Sequence, residues 1–568
     1  MNVLFLLITA LFALIFGYRF YAKLVALWVF RLNFRNYSTT IDTAGARQFT
    51  PCHPHVLFGH HVAAIGAAGT LTGTTIALVW GWIPAFLWLV VATVLAAGTY
   101  GLGSLWLSAR YALHSVPEIA GRLLGPRARG LYFACTLALL LLLSAALLWL
   151  GARLLMTYPG SVLPFWLQIP IALVVGGALQ KADDRSLWVV SLAAFVAGVI
   201  VIWLAGEIPV AVTGVLNLDV FGQSWLRLDA EVLWMVLLLV AALYAARLPV
   251  SKWMRPRGYL IALQAGAMLL VLLAGVIIAH PPITAPEFHT ADGAPGPLPW
   301  LFITLTSGAI AGFHLLISNG ITARQMADQT NLRRIGYGGA LVDGLFALSA
   351  VIVVSAGFKD LAQWQAFYAS WDDLSDLREL PALYIGGAVT FAGSLGIGEG
   401  FARNFAAVTV LGLLVATLEA GLRIVKQSLV ELGQHYGITA LARAPAGTGL
   451  TVGAVLLAAL WLAHSAGNGA SAWWPLFGLG NQVFACLGLL LFAFALRQGR
   501  RPQALVLAPL LGLVAITLWA GWELLVLCWR NGEGGVFVAT LGLMTLEITI
   551  LLKALIALKK APQPAPNT

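Results

Sequence analysis

The chain has 568 residues, of which 60% are hydrophobic and only 10% charged, with a mean hydropathy of +0.88. Soluble globular proteins carry about 25% charged residues, so a soluble enzyme, a disordered chain and a disulfide scaffold are excluded and a polytopic helical membrane protein remains. The net charge of +10 sits in short connectors beside apolar runs, so it reads as topological charge and not as a nucleic-acid surface.

A bilayer-spanning helix needs roughly 20 apolar residues. In chain order the candidate spans are residues 2–19, 57–80, 83–107, 131–155, 163–179, 187–204, 232–246, 260–279, 300–317, 336–356, a short Gly-rich stretch 383–398, then 401–422, 449–463, 474–496, 504–527 and 536–558. The N-terminal run lacks a basic region and a small-residue cleavage site, so it is expected to be a retained helix. Basic connectors (Arg19 to Arg47, Arg110 to Arg129, Lys252 to Arg257, Arg324 to Arg334, Arg497 to Arg501) alternate with acidic ones (Glu207 to Glu231, Glu287 to Asp292, Asp372 to Glu379). The positive-inside rule then puts the N-terminus outside and the Lys559-Lys560 end inside. This alternation requires that 383–398 be re-entrant or packed within protein, leaving about fifteen crossings. Leu361, Trp364, Phe367, Trp371 and Leu374 recur at helical spacing and predict a surface helix. The expected organisation is an N-terminal helix and cytoplasmic loop (1–56), a transporter core (57–497), a C-terminal helix pair (498–560) and a disordered Pro-rich tail (561–568).

Two runs differ from their Leu-rich neighbours. The first, from Phe58 to Thr75, holds His60, His61, Gly66, Gly69, Thr70 and Gly73; the second, from Ser307 to Thr322, holds Ser307, Gly308, Gly312, His314, Ser318 and Asn319. Glycine tolerates the backbone angles of a helix break. The N–H and C=O groups freed by a break need partners in lipid, and a polar solute or ion supplies them. The charge map gives the two runs opposite senses, the pattern of an inverted-repeat transporter. Small-residue helix packing is the competing explanation; histidines at membrane depth favour a site.

Ionisable residues inside spans are costly unless paired or wet. Asp343 follows Gly338-Gly339 in an apolar run, and Glu419 and Arg423 are placed i, i+4 to pair along one helix. These three are the candidate proton or ion-coupling groups, with His60, His61 and His314 as further proton carriers. Glu523 and Glu547 lie in the last two spans with no glycine break beside them. Cys52, His53 and His55 precede His60 and His61, but the spacing fits no closed zinc pattern, so no metal and no cofactor is expected. The four cysteines, Cys52, Cys135, Cys486 and Cys528, show no pairing pattern.

Several segments resemble the carbon starvation protein A family, in the family's order. They are Phe58-Gly59-His60-His61-Val62-Ala63-Ala64-Ile65, then Leu298-Pro299-Trp300-Leu301-Phe302 with Gly308 to His314 and Ser318-Asn319-Gly320. Ile335 to Gly339 with Asp343, and Trp474-Pro475-Leu476-Phe477-Gly478 with Asn481-Gln482, follow. The resemblance implies a proton-coupled transporter of the bacterial inner membrane for peptides and pyruvate, induced in nutrient stress. It also implies the inverted-repeat fold of amino acid–polyamine–organocation transporters. Departures fall at Thr70 and Thr74, where the family carries prolines, at Thr99-Tyr100-Gly101, where it carries an Asp, and at Leu418-Glu419-Ala420, where it carries Leu-Asp-Thr. The expected function is therefore secondary transport of a small carboxylate, peptide or amino acid, with the lipid bilayer, a small solute and protons as partners. Two rivals are a haem or metal redox protein using His60, His61 and His314, and a non-transporting sensor or accessory subunit.

Overall fold

In lipid every backbone polar group must find an internal partner, and a helix satisfies them within one segment. The computed structural model describes residues 2–32, 41–43, 49–212, 216–220, 223–305, 308–371, 374, 380–442, 449–451, 453–458, 461 and 473–559. These are overwhelmingly helical. The helices are α1 (Val3–Phe16, continuing through π turns to Val29), α2 (Pro54–Ile65), α3 (Ala67–Ala77), α4 (Trp82–Arg110), α5 (Val116–Leu124), α6 (Pro126–Thr157), α7 (Pro159–Lys181) and α8 (Leu187–Ala205). After a short hairpin of β1 (Leu216–Val220) and β2 (Gln223–Leu228) come α9 (Ala230–Arg247), α10 (Met254–Ala279), α11 (Pro297–Thr304), α12 (Phe313–Ile317), α13 (Gly338–Ala356) and α14 (Leu361–Phe367). The chain continues through α15 (Leu380–Gly393), α16 (Glu399–Tyr436), α17 (Gly449–Ala458), α18 (Trp473–Gln498), α19 (Ala504–Asn531) and α20 (Gly534–Leu558).

The chain is a multi-pass membrane protein. Among the described residues twelve helices are long and apolar enough to cross a bilayer, or thirteen if the bent pair α2–α3 counts as one span. Hydropathy marks sixteen apolar runs, of which about fifteen are expected to cross with 383–398 set aside, and three of the sixteen are not among the thirteen spans. Run 300–317 is split into the eight-residue α11 and the five-residue α12. Run 383–398 forms the 14-residue α15, about 21 Å long at 1.5 Å per residue and short of the hydrocarbon thickness. Run 449–463 lies partly outside the described residues, with helix over Gly449–Ala458 and again at Trp461. Hydropathy averages over a break such as the one in run 300–317, whereas a span needs an unbroken ladder. The tail 561–568 lies outside the described residues.

The chain divides into two interleaved units. The first comprises residues 1–140, 282–375 and 470–568; the second comprises 141–281 and 376–469. In the first unit α13 packs on α3, α4 and α1, and α18 packs on α19 and α11. Close backbone approach holds α4 against the turn that leads into α13. A Cβ on Gly101 would lie 2.4 Å from the Gly336 carbonyl oxygen, and one on Gly336 would lie 2.6 Å from that of Gly101. The expected helix at 361–374 forms over α14 and is interrupted at residues 368–370, with helix again at Trp371 and Leu374 among the described residues. Its aromatic face is buried: Trp364 stacks on Tyr368 with centroids 4.4 Å apart, and the Tyr368 hydroxyl donates to the Thr75 carbonyl at 2.7 Å. This segment therefore packs against the protein along a face that hydropathy alone assigns to the surface.

In the second unit α16 is the central helix, buried from Ala406 to Val425 and packed by α10, α15 and α9. Gly101→Val should disrupt the first unit where α4 meets the turn before α13. Overpacking there costs about 1–3 kcal/mol, measurable as a lower melting midpoint in detergent, while Gly386→Ala, with open space beside it, should leave the midpoint nearly unchanged.

Candidate functional site

The first break is at Gly66, whose φ of 68° and ψ of 117° end α2 and start α3. The two helical pieces are bent by 48°. Glycine reaches this positive φ without Cβ strain. One turn past the break, Thr70 is fully buried and its Oγ1 lies 2.7 Å from Asp343 Oδ1 and 3.4 Å from the Gly66 carbonyl oxygen. A hydroxyl has one proton to give, and the nearer acceptor takes it.

The second break follows α11. Gly308 has φ +81°, and the backbone regains helix only at Phe313. The Gly308 N–H donates to Asp343 Oδ2 at 2.9 Å, and Thr93 Oγ1 donates to the Gly308 carbonyl at 2.6 Å. A Cβ on Gly308 would lie 2.5 Å from the Ala347 Cβ and 3.0 Å from Thr70 Cγ2, so the two breaks meet with no room for a side chain. Asn481 closes the far end of this segment. Its carbonyl accepts from Gly312 N at 3.2 Å and its Oδ1 accepts from Phe313 N at 3.0 Å. The Gly312 carbonyl accepts from the Tyr100 hydroxyl at 3.2 Å.

Asp343, on α13, is only 2% exposed and connects the two breaks, one carboxylate oxygen to each. His314 Nε2 lies 3.8 Å from Asp343 Oδ2, and the same ring meets the Ile65 backbone at the end of α2. His61 Nδ1 is 2.9 Å from Thr322 Oγ1, with Gly339 close against its ring. His60 is buried beside it. Ser318 Oγ is buried and has no hydrogen-bond partner among the described residues.

Gly66, Thr70, Gly308, His314 and Asp343 are thus brought together. Gly73 packs instead against the Thr304 carbonyl, where a Cβ would come within 2.4 Å of the oxygen. Gly69 is half-buried. Asn319 donates to the His114 carbonyl at 2.8 Å and to Ser108 Oγ at 3.1 Å, and Ser307 lies outside the described residues. Thr93, Tyr100 and Asn481 also hold the breaks, although sequence reasoning does not single them out as ligands. A polar residue within an otherwise apolar run is the available signal for each. Among the described residues no group of three or more His, Cys, Asp or Glu could hold a metal ion.

Glu419 and Arg423 belong to the second unit. Glu419 is paired with Arg257 of α10 and accepts from Trp253 Nε1 at 3.2 Å. Arg257 also lies over the Phe165 ring, 4.9 Å from its centroid. Arg423 Nη1 donates to the carbonyls of Leu248 at 2.8 Å and Ala246 at 3.2 Å. The i, i+4 spacing predicts a helix-local pair; cross-helix partners engage both residues.

Helices of membrane length, with two of the candidate spans broken around one buried carboxylate, define a polytopic helical membrane protein with a polar interior site. The carbon starvation protein CstA family model matches residues 2–366 and 361–520, and the chain belongs to that family. It is 26% identical to the peptide transporter CstA of Campylobacter jejuni, over 92% of this chain and 80% of that one. It is also 26% identical to the pyruvate/proton symporter BtsT of Escherichia coli, over 91% and 81% respectively. The Bacillus subtilis peptide transporter CstA is 26% identical over 97% of this chain and 95% of its own. Among solved structures, a manganese transporter of Eremococcus coleocola superposes with TM-score 0.40 at 12% identity, covering 93% of this chain and all of the other (100%). MhsT in complex with L-phenylalanine gives 0.38 at 12% identity, covering 90% of this chain and 100% of that one.

Two pairs of variants probe the site's energetics by thermal unfolding. Thr70→Val removes a hydrogen bond to Asp343 and should cost about 1.5–3 kcal/mol if that group is ionised. Thr74→Val removes a buried hydroxyl with no partner among the described residues and should be neutral or stabilising. In the second unit, Glu419→Gln strands the buried Arg257 charge and should cost about 3–5 kcal/mol, while replacing both partners by Met should recover most of that loss.

Proposed function

We propose that this chain is a secondary active transporter that imports a small carboxylate of the pyruvate class, a peptide or an amino acid, driven by protons. The observation that carries the reading is the buried Asp343 carboxylate shared by the two breaks, with Thr70 on one oxygen and the Gly308 N–H on the other. A break at membrane depth needs polar partners for its freed backbone. A carboxyl group serves that need differently in its two protonation states. Ionised, it accepts from both breaks. Protonated on Oδ1, it donates to Thr70 Oγ1, and the Thr70 proton turns to the Gly66 carbonyl 3.4 Å away. The proton thus reverses one hydrogen bond at the first break while the Gly308 N–H keeps donating. His314 Nε2 lies 3.8 Å from Oδ2, beyond direct hydrogen-bond reach, so proton exchange with the carboxyl requires a bridging water or closer approach of the ring.

The family relatives named as a peptide transporter and a pyruvate/proton symporter support the solute classes and the coupling ion. Two breaks in distant parts of the chain suit an inverted-repeat carrier whose solute binds near the bilayer midplane, where broken-helix ends face its charged groups. The bacterial source of these relatives supports a cytoplasmic membrane, and the connector charges support an N-terminus outside and a C-terminus inside. The chain acts as a carrier and not as an enzyme.

Uptake of labelled pyruvate and of a labelled dipeptide into proteoliposomes tests the reading. An inward proton gradient should drive accumulation of one of them. Asp343→Asn should abolish gradient-driven accumulation yet retain solute exchange at equal pH. Accumulation by the Asn variant equal to that of the parent would remove Asp343 from the coupling step, and failure of the parent to take up either solute would refute both solute classes.

A further inference from the structure

A second built feature lies outside the two breaks. A cavity of about 670 Å³ opens where α5 turns into α6 and where α18 and α20 end. Arg122, Arg127, Arg129, Arg497 and Lys553 line it, with Phe494 among its apolar walls. One carboxylate, Glu118, meets two of these cations: Arg129 Nε at 3.1 Å and Arg122 Nε at 3.6 Å. Arg497 Nη2 donates to the Leu558 carbonyl at 2.9 Å and so caps α20. Arg127 and Lys553 carry no ion pair among the described residues. Five cations against one neighbouring carboxylate leave the cavity strongly positive.

Local backbone geometry builds this corner. Gly125, at φ +100°, allows the sharp turn between α5 and α6. Gly121 lets Arg129 fold back, since a Cβ there would lie 2.7 Å from Arg129 Nε. The helix α5 buries Val116, Ile119 and Ala120 and leaves Arg122 on its open side. An apolar track on the exposed face of α20, with Val538, Leu541, Ile548, Leu552 and Leu555, borders the cavity at Ile556, which lines it and is itself exposed. Because α18, α20 and α6 are membrane-length helices, the cavity lies at a helix-end level, where headgroups reside, and the track lies at the level of acyl chains.

We propose that this cavity binds the headgroup of an anionic phospholipid, whose acyl chains lie along the exposed face of α20. Basic pockets between transmembrane helices recognise phosphodiester headgroups by charge, and arginine does so with paired N–H donors. The apolar track distinguishes a lipid from a soluble anion of the same charge. The proposal is independent of the transport reading, since none of these residues belongs to the breaks.

The test is thermal unfolding of the purified full chain in a neutral detergent, titrated separately with cardiolipin, phosphatidylglycerol, phosphatidylcholine and inorganic pyrophosphate. The two anionic lipids should raise the melting midpoint saturably, and phosphatidylcholine and pyrophosphate should not. Arg127→Gln with Lys553→Gln should raise the half-saturating concentration of anionic lipid roughly 30-fold, because the headgroup then faces two fewer cations. Arg497 is kept because it caps α20. Lys23→Gln with Arg333→Gln, in a separate basic groove lined by Tyr18 and Trp28, should leave that concentration unchanged. Equal stabilisation by phosphatidylcholine, an equal effect of pyrophosphate alone, or an unchanged titration of the Arg127/Lys553 variant would each overturn the proposal.

Discussion

The structure of the first unit depends on one constraint: a carboxylate at membrane depth, Asp343, is required by two broken helices at once. Each break exposes backbone groups that lipid cannot solvate. Gly308 leaves an N–H that Asp343 Oδ2 accepts, and Thr70, one turn past Gly66, brings a hydroxyl to Oδ1. The hydrogen bonds between the carboxyl and the two breaks offset part of the cost of burying the one and of breaking the other. Gly308 must remain a glycine, because Ala347 and Thr70 approach to within 3.0 Å or less of where its Cβ would stand. Under the proposed reading the response lies at the first break, where protonation of Asp343 reverses the Thr70 hydrogen bond while the Gly308 N–H keeps donating.

The second unit handles a buried carboxyl in the opposite way. Glu419 is closed by the Arg257 guanidinium and the Trp253 indole, and Arg257 is itself covered by the Phe165 ring. A charge satisfied by a fixed opposite charge has little reason to exchange its proton. Asp343 has hydrogen-bond donors and a histidine 3.8 Å away but no Lys or Arg ion-pair partner among the described residues. Glu419 supports the packing of α16, and under the proposed transport reading the contrast favours Asp343 over Glu419 as the group that exchanges a proton.

Much of this is legible in the sequence, for identifiable reasons. Composition fixes the solvent, and apolar run length then reveals most helices. Glycines with histidines and hydroxyls mark both breaks, because few other residues tolerate such backbone at this depth. Pairings across distant segments are not legible. Nothing in the spacing of Glu419 and Arg423 indicates that Arg257 reaches Glu419 from another helix. Asn481 likewise gives no local sign that both its carbonyl and its side chain hold the Gly312–Phe313 backbone. Hydropathy also cannot separate α14 from a helix lying on the membrane surface, since burial of Trp364 depends on Tyr368 and the elements beneath it.

The departures from the family pattern gain a physical meaning from this geometry. The family resemblance implies prolines around the first break at positions where this chain has Thr70 and Thr74. Proline breaks a helix by removing a donor and clashing with the preceding turn, and it offers no side-chain hydrogen bond. Thr70 supplies what a proline cannot, a hydroxyl that reaches Asp343 at 2.7 Å. The first break then rests on Gly66 for its backbone angles and on Thr70 for its attachment to the carboxylate. A hydroxyl can donate or accept, so this attachment survives either protonation state of Asp343 with its direction reversed. The first break in this chain is thus held by a hydrogen bond to the Asp343 carboxyl and not by the geometry of a proline ring.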